Sequence, residues 1–322
     1  MGNNRRVAWG IAIAIFGAAL AAFTGAAAEA PFSKAQPVGY YRMMLGDIEV
    51  TALLDGLAPV PVGNLLRNTT PLELEKALAR NFLKDPVAMS VNGYLINTGT
   101  KLVLVDAGGG KFYGRILGKL VDNLKAAGYQ PEQVDEVYIT HMHADHVGGL
   151  MAGDKLAFPN AIVRADKREA AYWLGETNMD AAAQDDKNSF KQAMESVNPY
   201  IAAGRFKTFD GDSDLVPGVR ARASYGHTPG HTTYVVESKG EKMALWGDLM
   251  HVGAVQFAQP SVTMRYDTDA ATAIIVRKES YQDASAKAYW IAAAHLPFPG
   301  IGHLRADDSG YVFVPANYAP AQ

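Results

Sequence analysis

The chain has 322 residues, of which 48% are hydrophobic and 20% are charged, and it contains no cysteine. This balance is typical of a globular protein with a sizeable core, and it excludes collagen-like, coiled-coil and multi-spanning membrane proteins. Without cysteine there are no disulfide bonds, thiolate metal sites or cysteine nucleophiles. A formal net charge of -3 provides no basic surface for nucleic acid, so no nucleic-acid partner is expected.

The N-terminal thirty residues have the order of an export signal. Arg5 and Arg6 precede an uncharged run over 7–23, and small residues follow over 25–30. This order predicts a secretory signal peptide over 1–28, cleaved at about 27–30. The alternative is a membrane anchor, because the run is at the short edge of what can span a bilayer. We favour the cleaved signal, which predicts an exported protein, periplasmic or secreted, with no stable membrane insertion after cleavage.

Residues 36–322 are predicted to form one domain in which strands and helices are mixed. Apolar or alternating runs predict strands over 40–44, 48–54, 88–97, 102–106, 134–140, 161–164, 219–224, 232–237 and 242–246. Helical patterns lie over 70–82, 117–127, 167–174, 189–203 and 270–293. Strands, helices and then strands again predict a layered α/β (α+β) fold.

All eight histidines lie after residue 140, and three of them belong to one short motif. His141, His143, Asp145 and His146 form the pattern H-x-H-x-D-H. Neutral imidazoles and a carboxylate that converge at a strand-to-helix turn are suited to small, borderline-soft divalent ions. The motif therefore predicts a metal site, and two metals fit it better than one.

Three more candidate ligands follow predicted strands, namely His231, Asp248 and His295. The resulting seven ligands can hold two ions that share one carboxylate and a hydroxide. Taken singly, His227, His251 and His303 are interpreted as ordinary core or surface histidines. Imidazole and carboxylate accept Zn, Mn, Fe and Co, and zinc is the expected ion.

These motifs, together with a strand that ends in Asp106-Ala107-Gly108 and with Gly247-Asp248, resemble the metallo-β-lactamase superfamily. The resemblance implies a single-domain, four-layer αβ/βα sandwich with a dinuclear site at one sheet edge. More narrowly, stretches over 39–43, 123–133, 156–160 and 298–303 resemble methyl parathion hydrolase and its lactonase relatives of the dihydrocoumarin hydrolase kind.

The resemblance also implies roles for individual residues. His141, His143 and His231 would hold one ion, while Asp145, His146 and His295 would hold the other. Asp248 would bridge the two ions, and Asp106 would support the ligand loop. Substrate-pocket positions would be Tyr113, Trp173, Phe190, His251 and Tyr266. A homodimer is implied as well, and the apolar residues Val255, Phe257 and Val262 are a candidate face for it.

His251 and Tyr266 stand where methyl parathion hydrolase has smaller or aliphatic residues, which would make this pocket narrower and more polar. A flat lactone or aryl ester tolerates such a pocket better than a phosphorus centre with three bulky substituents. The expected activity is therefore hydrolysis of small-molecule lactones and aryl esters, with organophosphate triester hydrolysis secondary. Asp145 and Asp248 are the candidate catalytic residues, and Asp145 is a hypothetical proton carrier to the leaving oxygen.

Four other functions stay open at this point. The chain could be a primary phosphotriesterase of the methyl parathion hydrolase kind, or a β-lactamase. It could also be a catalytically silent metal-binding module or a di-iron redox scaffold.

Overall fold

The computed structural model describes residues 1–2, 30, 32–33, 36–184, 186–308 and 310–319. Two compact units are present, Met1–Pro37 and Val38–Gln322. The described residues of the first unit form no helix or strand. The predicted signal peptide over 1–28 lies almost entirely outside the described residues and stays a prediction, as does the 36–322 domain boundary. In the described part of the chain, no helix is both long enough and apolar enough to cross a membrane.

The second unit contains eighteen strands and nine α-helices among its described residues. The strands are β1 Tyr40–Leu45, β2 Ile48–Val60, β3 Leu66–Arg67, β4 Val87–Asn97, β5 Leu102–Val105, β6 Glu136–Tyr138, β7 Met151–Ala152, β8 Lys155–Leu156, β9 Ile162–Asp166, β10 Phe206–Phe209, β11 Ser213–Val216, β12 Val219–Ala223, β13 Thr232–Ser238, β14 Glu241–Leu245, β15 Thr263–Met264, β16 Trp290–Ala292, β17 Ile301–Asp307 and β18 Gly310–Pro315. The helices are α1 Val62–Leu65, α2 Pro71–Arg80, α3 Leu120–Ala126, α4 Ala144–Val147, α5 Lys167–Trp173, α6 Glu176–Ala181, α7 Lys187–Ala202, α8 Gly253–Gln256 and α9 Ala270–Lys287.

Local chemistry explains where several helices begin. The Thr70 side chain accepts from Glu73 N, and the Glu73 carboxylate accepts from Thr70 N, so a capping box starts α2. Asp269 caps α9 by accepting from Thr272 N. In α7 the buried positions recur at helical spacing, so one face of that helix packs on the core.

Two seven-stranded sheets form the centre of the unit. Their strand orders are β1-β2-β4-β5-β6-β9-β10 and β11-β12-β13-β14-β16-β17-β18. Strands β5, β6, β9 and β10 are parallel, and so are β14 and β16. Every residue of β5 is buried, as expected for a parallel strand covered on both faces.

Three apolar clusters define four layers. The first joins Leu104 and Val137 of one sheet to Leu124 of α3 and Val197 of α7. The second lies between the two sheets, and the third joins the other sheet to Tyr281 of α9. The order is therefore helices, sheet, sheet, helix, which confirms the predicted layered αβ/βα sandwich.

The structure differs from the prediction in the second half of the chain. The predicted helix over 270–293 is too long, because α9 ends at Lys287, Ala288 has a φ of 51° and β16 follows. The strands β10, β11, β17 and β18 were not predicted, and all but β17 lie at an edge of their sheet. Strands β10 and β11 have only four residues each, too few for a clear apolar pattern, whereas β18 carries the apolar run Tyr311 to Val314 and was missed despite it.

The predicted apolar face for a homodimer is also wrong. The structure buries Val255, Phe257 and Val262, which are 1%, 5% and 0% exposed. They pack in the interior around α8, where they have no access to a second copy.

Several candidate ligands, and the supporting residue Asp106, lie in loops that follow the carboxyl ends of strands. Asp106 follows β5, His141 follows β6, Asp248 follows β14 and His295 follows β16. Loops in this position carry function on a rigid scaffold. Close packing here requires Gly247, whose φ is 54° and where a Cβ would lie 2.8 Å from Thr140.

Candidate metal centre

Asp106 holds the histidine motif in place from beneath. Its carboxylate accepts hydrogen bonds from Thr140 N at 2.9 Å and from Thr140 Oγ1 at 2.8 Å. His146 Nδ1 lies 2.8 Å from the same carboxylate. Asp106 has a φ of 59°, a left-handed conformation that costs free energy for a residue with a side chain. These are the contacts that the predicted supporting role requires.

The motif after β6 supplies four side chains to the centre. His141 Nε2 lies 3.0 Å from His143 Nδ1, and the His141 ring is fully buried. Asp145 is in the first turn of α4, with its Oδ2 atom 3.8 Å from His146 Nε2. A strand that runs into a short helix thus turns these side chains toward one point.

Asp248 is the common neighbour of the histidines. Its Oδ2 atom lies 3.5 Å from His141 Nε2, 3.5 Å from His227 Nε2 and 3.2 Å from His295 Nε2. The Oδ1 atom lies 3.1 Å from His146 Nε2. One carboxylate therefore faces both halves of the centre, which is the placement expected of a bridging ligand.

The possible ligand atoms form overlapping groups in which all atoms lie within 4.8 Å of one another. One group contains His141, His143, His227 and Asp248. A second contains Asp145, His146 and His295. A third joins Asp248 and His295 to His251.

The first group differs from the prediction, because it contains His227 where His231 was expected. His231 Nε2 accepts from Asp248 N at 3.0 Å, and its Nδ1 lies 3.0 Å from Ser224 O. Both ring nitrogens of His231 therefore have protein partners. His227 instead places Nε2 3.2 Å from His143 Nδ1 and has its Nδ1 2.7 Å from Asp267 Oδ1. A carboxylate behind the ring is the usual arrangement for a metal-ligating histidine.

Both histidines occur in Gly226-His227-Thr228-Pro229-Gly230-His231, and spacing alone does not separate them. The two rings differ in their partners, which are Ser224 and the Asp248 backbone for His231 and Asp267 and His143 for His227, and the predicted role of His231 stays a prediction. His303 stays outside the centre, as predicted, with its ring 3.8 Å from that of Trp290.

Glu169 was not predicted, yet it ties the two histidine loops together. This buried carboxylate accepts from Met142 N at 2.8 Å, from Thr228 Oγ1 at 2.7 Å and from Gly230 N at 2.9 Å. Burial raises the pKa of Glu169 to about 7, although these three hydrogen bonds oppose the shift. A single glutamate on a predicted helix carries no sequence signal of such a role.

Burial favours neutral imidazoles in this centre. It holds the pKa of His141 well below its ordinary value, and it lowers the pKa of His143 to about 3 and that of His227 to about 4. Burial opposes the ionisation of Asp248, but His295 and the neighbouring histidines hold the pKa of this carboxyl well below its ordinary value. Asp248 and the other nearby carboxylates outweigh burial at His146 and His295 and raise the pKa of both rings, that of His146 well above its ordinary value. These two rings must lose their protons when they bind metal, whereas the lowered pKa values keep the other rings neutral.

Several buried polar atoms in the centre lack a hydrogen-bond partner among the described residues. They are His146 Nε2, Asp248 Oδ1 and both ring nitrogens of His251. Unpartnered buried polar atoms cost free energy, and their clustering fits a site for cations. The donor set, imidazole nitrogen and carboxylate oxygen, suits Zn, Mn, Fe and Co.

A cavity of about 330 Å³ opens onto the centre. Tyr113, Asp145, Asp248, Arg265 and Tyr266 are among its lining residues. The carboxylates of Asp145 and Asp248 line the same cavity as the two phenols. Asp145 and burial raise the pKa of Tyr113, and burial followed by Asp248 raises that of Tyr266 well above its ordinary value. Both hydroxyls therefore stay protonated and able to donate.

The structure places the five predicted pocket residues in different surroundings. Tyr113 and Tyr266 line the cavity, and their contact with substrate stays a prediction. Trp173 and Phe190 do not line it, because they are 4% and 1% exposed and pack in the core, with Trp173 against the edge of the His143 ring. His251 borders a neighbouring cavity of about 420 Å³ whose other walls are mainly apolar.

Comparisons with known proteins agree with the fold and the donor set. The model of the metallo-beta-lactamase superfamily matches residues 87–288. N-acyl homoserine lactonases are similar in sequence. The one from Bacillus sp is 29% identical over 165 residues, which are 45% of this chain and 58% of that protein. The one from Bacillus cereus is 28% identical over 47% of this chain and 60% of the relative. The chain thus spans about three fifths of the length of these lactonases.

Solved structures extend the similarity to most of the chain. AbOPH, a hydrolase of the beta lactamase superfamily, has a TM-score of 0.84 and 35% identity, with 88% of this chain and 100% of that chain covered. AidC, a dizinc quorum-quenching lactonase in complex with the product N-hexanoyl-L-homoserine, has a TM-score of 0.79 and 26% identity, with 87% and 98% covered. On the family match and these structures, the chain belongs to the metallo-beta-lactamase superfamily.

Proposed function

We propose that this chain is a hydrolase of lactones and aryl esters that acts with two divalent metal ions, zinc in the simplest case. The observation that carries the proposal is the pair of His/Asp groups on either side of Asp248. Burying so many imidazoles and acids in one place is expensive unless cations occupy the space between them.

The first ion would be held by His141, His143 and His227, and the second by Asp145, His146 and His295. Asp248 would bridge them. When bound, such ions make water available as a nucleophile near neutral pH and polarise an ester carbonyl. No serine or cysteine nucleophile is needed.

The chain's own residues would orient the substrate. The phenols of Tyr113 and Tyr266 stay protonated and face the cavity, so each can donate a hydrogen bond to an ester oxygen. Asp145 lines the same cavity with its side chain 20% exposed, which leaves it accessible to the departing alkoxide. We propose that an Asp145 carboxylate oxygen accepts the proton that the attacking water loses and delivers it to that leaving oxygen.

Two observations favour a lactone over a triester. The cavity on the metal centre has a volume of about 330 Å³ with Tyr266 on its wall, and we expect that ring to restrict a phosphorus centre with three substituents more than a flat lactone. The lactonases that the chain resembles, and AidC with its bound N-hexanoyl-L-homoserine, favour the same substrate class. N-acyl homoserine lactones are therefore the first substrates to test.

A phosphotriesterase is the second candidate. It rests on the resemblance of the stretches over 39–43 and 298–303 to methyl parathion hydrolase. A β-lactamase has only the shared superfamily in its favour.

We also propose export to the periplasm or the medium, on the basis of Arg5, Arg6 and the uncharged run that follows. The homodimer stays a prediction from the resemblance.

The test is a substrate panel with the zinc-loaded protein. It compares an N-acyl homoserine lactone and dihydrocoumarin with paraoxon and nitrocefin. We expect kcat/KM to be highest for a lactone and measurable but lower for paraoxon. A higher kcat/KM for paraoxon or nitrocefin would contradict the lactonase assignment, and no turnover by protein that holds two ions would favour a silent metal-binding module.

A further inference from the structure

His251 is a buried imidazole beside the metal centre, and it is not one of the seven predicted ligands. It follows Asp248 by three residues and precedes α8, and it is 1% exposed. Neither ring nitrogen has a hydrogen-bond partner among the described residues. Buried histidines that serve only the core are normally hydrogen-bonded, because a buried polar nitrogen without a partner destabilises the folded chain.

The ring points at the shared part of the centre. His251 Nε2 lies 3.0 Å from Asp248 Oδ2, in an orientation that makes no hydrogen bond. The ring stacks on that of His295 with centroids 5.3 Å apart and planes inclined by 20°. The possible ligand atoms of His251, Asp248 and His295 all lie within 4.8 Å of one another. This group shares two members with the sites described above.

The backbone around His251 is held firmly. His251 N and Val252 N donate to Gln256 Oε1 at 2.7 and 2.9 Å. The amide of Gln256 donates to Val262 O, which also accepts from the buried guanidinium of Arg277. A ring presented from such a braced turn is already in place to bind, which is a property of effective metal sites.

We propose that His251 is a further nitrogen ligand of the metal centre, binding through Nε2 the ion held by His295 and Asp248. The inference rests on the proposed metal centre. The competing role is contact with substrate only, since His251 also borders the cavity of about 420 Å³. The two roles differ in what they predict for protein that contains metal but no substrate.

The first experiment counts ligating histidines in the cobalt-substituted wild-type protein. Proton NMR of paramagnetic Co²⁺ resolves the exchangeable N–H proton of each ligating imidazole. We expect six such signals, from His141, His143, His146, His227, His251 and His295. Five signals with two ions bound would overturn the inference and leave the metal centre intact. A chain that takes up no cobalt would contradict the metal centre itself.

The second experiment compares His251→Leu with Tyr266→Phe, which alters a neighbouring side chain without removing a possible nitrogen ligand. Competition with a chromophoric chelator measures the affinity of each ion. We expect His251→Leu to lose one N–H signal and to bind the ion held by His295 and Asp248 at least about 10-fold less tightly. Tyr266→Phe should keep all six signals and both affinities. Retention of the other ion at full affinity by His251→Leu shows that the variant is folded. Unchanged affinities and signals in that variant would overturn the inference.

Discussion

His227 and His231 lie four residues apart in one loop, yet their ring nitrogens face different partners. Both ring nitrogens of His231 have protein partners, because Nε2 accepts from Asp248 N and Nδ1 lies beside Ser224 O. It thereby orients Asp248 from behind. His227 leaves Nε2 facing His143 and Asp248. At the scale of single residues, the partners of the ring nitrogens are the ground on which we propose His227 as the ligand and His231 as its support.

Replacing each of these histidines with alanine tests that distinction. His227→Ala should bind one divalent ion less than wild type and lose at least about 100-fold in kcat, because it removes a ligand. His231→Ala should keep both ions and lose about 1–3 kcal/mol in the free energy of unfolding, because it leaves the buried Asp248 N–H unpaired. Metal content by elemental analysis and urea unfolding provide the measurements. If the two variants exchanged these outcomes, His231 would be the ligand.

Tyr266→Phe tests the phenol as a hydrogen-bond donor to substrate. Its pKa is raised by burial and by Asp248, so the hydroxyl donates at all moderate pH values. Loss of one such hydrogen bond should lower kcat/KM for a lactone about 10-fold, with metal content unchanged. Steady-state kinetics over pH 6–9 checks the size of the effect and its independence of pH. An unchanged kcat/KM would remove Tyr266 from substrate binding.

At the scale of elements, Glu169 at the start of α5 links two loops that the chain separates by more than eighty residues. It accepts from Met142 N in the loop after β6 and from Gly230 N in the loop before β13. The shared carboxylate thus fixes the two loops relative to each other. The histidines that we propose for the first ion lie on these two loops.

The pH dependence of stability tests the burial of Glu169. Its pKa is raised to about 7 from an ordinary value of 4.5, so the unfolded chain ionises first as pH rises. The stabilising contribution is fully present below about pH 4.5 and is lost as pH rises through about 7. Relative to Glu169→Gln, the wild-type free energy of unfolding should fall by about 2 kcal/mol between pH 5 and pH 8. Urea unfolding with chelator measures this difference. Parallel profiles for the two proteins would show that Glu169 does not titrate as expected.

Substitution of Arg277 in α9 tests whether this helix stabilises the loop that carries His251. Its guanidinium is fully buried and donates to the carbonyl oxygens of Leu249, Pro260 and Val262. Arg277→Met should cost about 3 kcal/mol in the free energy of unfolding, because buried carbonyls lose their donors. The exposed neighbour substitution Lys278→Met is the control and should stay within about 0.5 kcal/mol of wild type. Equal effects of both variants in urea unfolding would contradict the bracing role.

At the scale of the whole molecule, the metal centre joins the two sheets. Asp106 and the H-x-H-x-D-H motif follow strands of one sheet, while Asp248 and His295 follow strands of the other. Ions that bind both sets of side chains would bind the folded chain and not the unfolded one, so they stabilise it by mass action.

Metal removal should therefore lower thermal stability as well as activity. At free zinc about 100 times the dissociation constant, one ion contributes about 2.7 kcal/mol. We expect Tm to fall by several degrees in chelator and to rise again with added zinc. Differential scanning calorimetry provides the measurement, with added magnesium as the control ion. A Tm indifferent to chelator and zinc would mean that the folded chain holds no tightly bound ion.

The sequence predicts the layered fold and most of the centre because these depend on local patterns. Buried runs such as β5 identify strands, and the spacing of His141, His143, Asp145 and His146 identifies a ligand cluster without any knowledge of tertiary contacts. Our proposal of His227 in place of His231 rests on their contacts with Asp267 and Ser224, which the sequence pattern does not show. Trp173 is an aromatic residue of the kind that often lines pockets, but it packs against the His143 ring. The edge strands β10 and β11 have only four residues each, so their pairing with neighbouring strands defines them more clearly than any apolar pattern does.

The central claim is that paired cations held by these histidines and aspartates perform lactone hydrolysis. The most direct measurement is the metal content of the purified chain together with its lactone turnover before and after chelation. We predict two divalent ions per chain, loss of turnover on chelation and recovery when zinc is restored. A metal-free chain that hydrolyses lactones at an undiminished rate in excess chelator would contradict the claim.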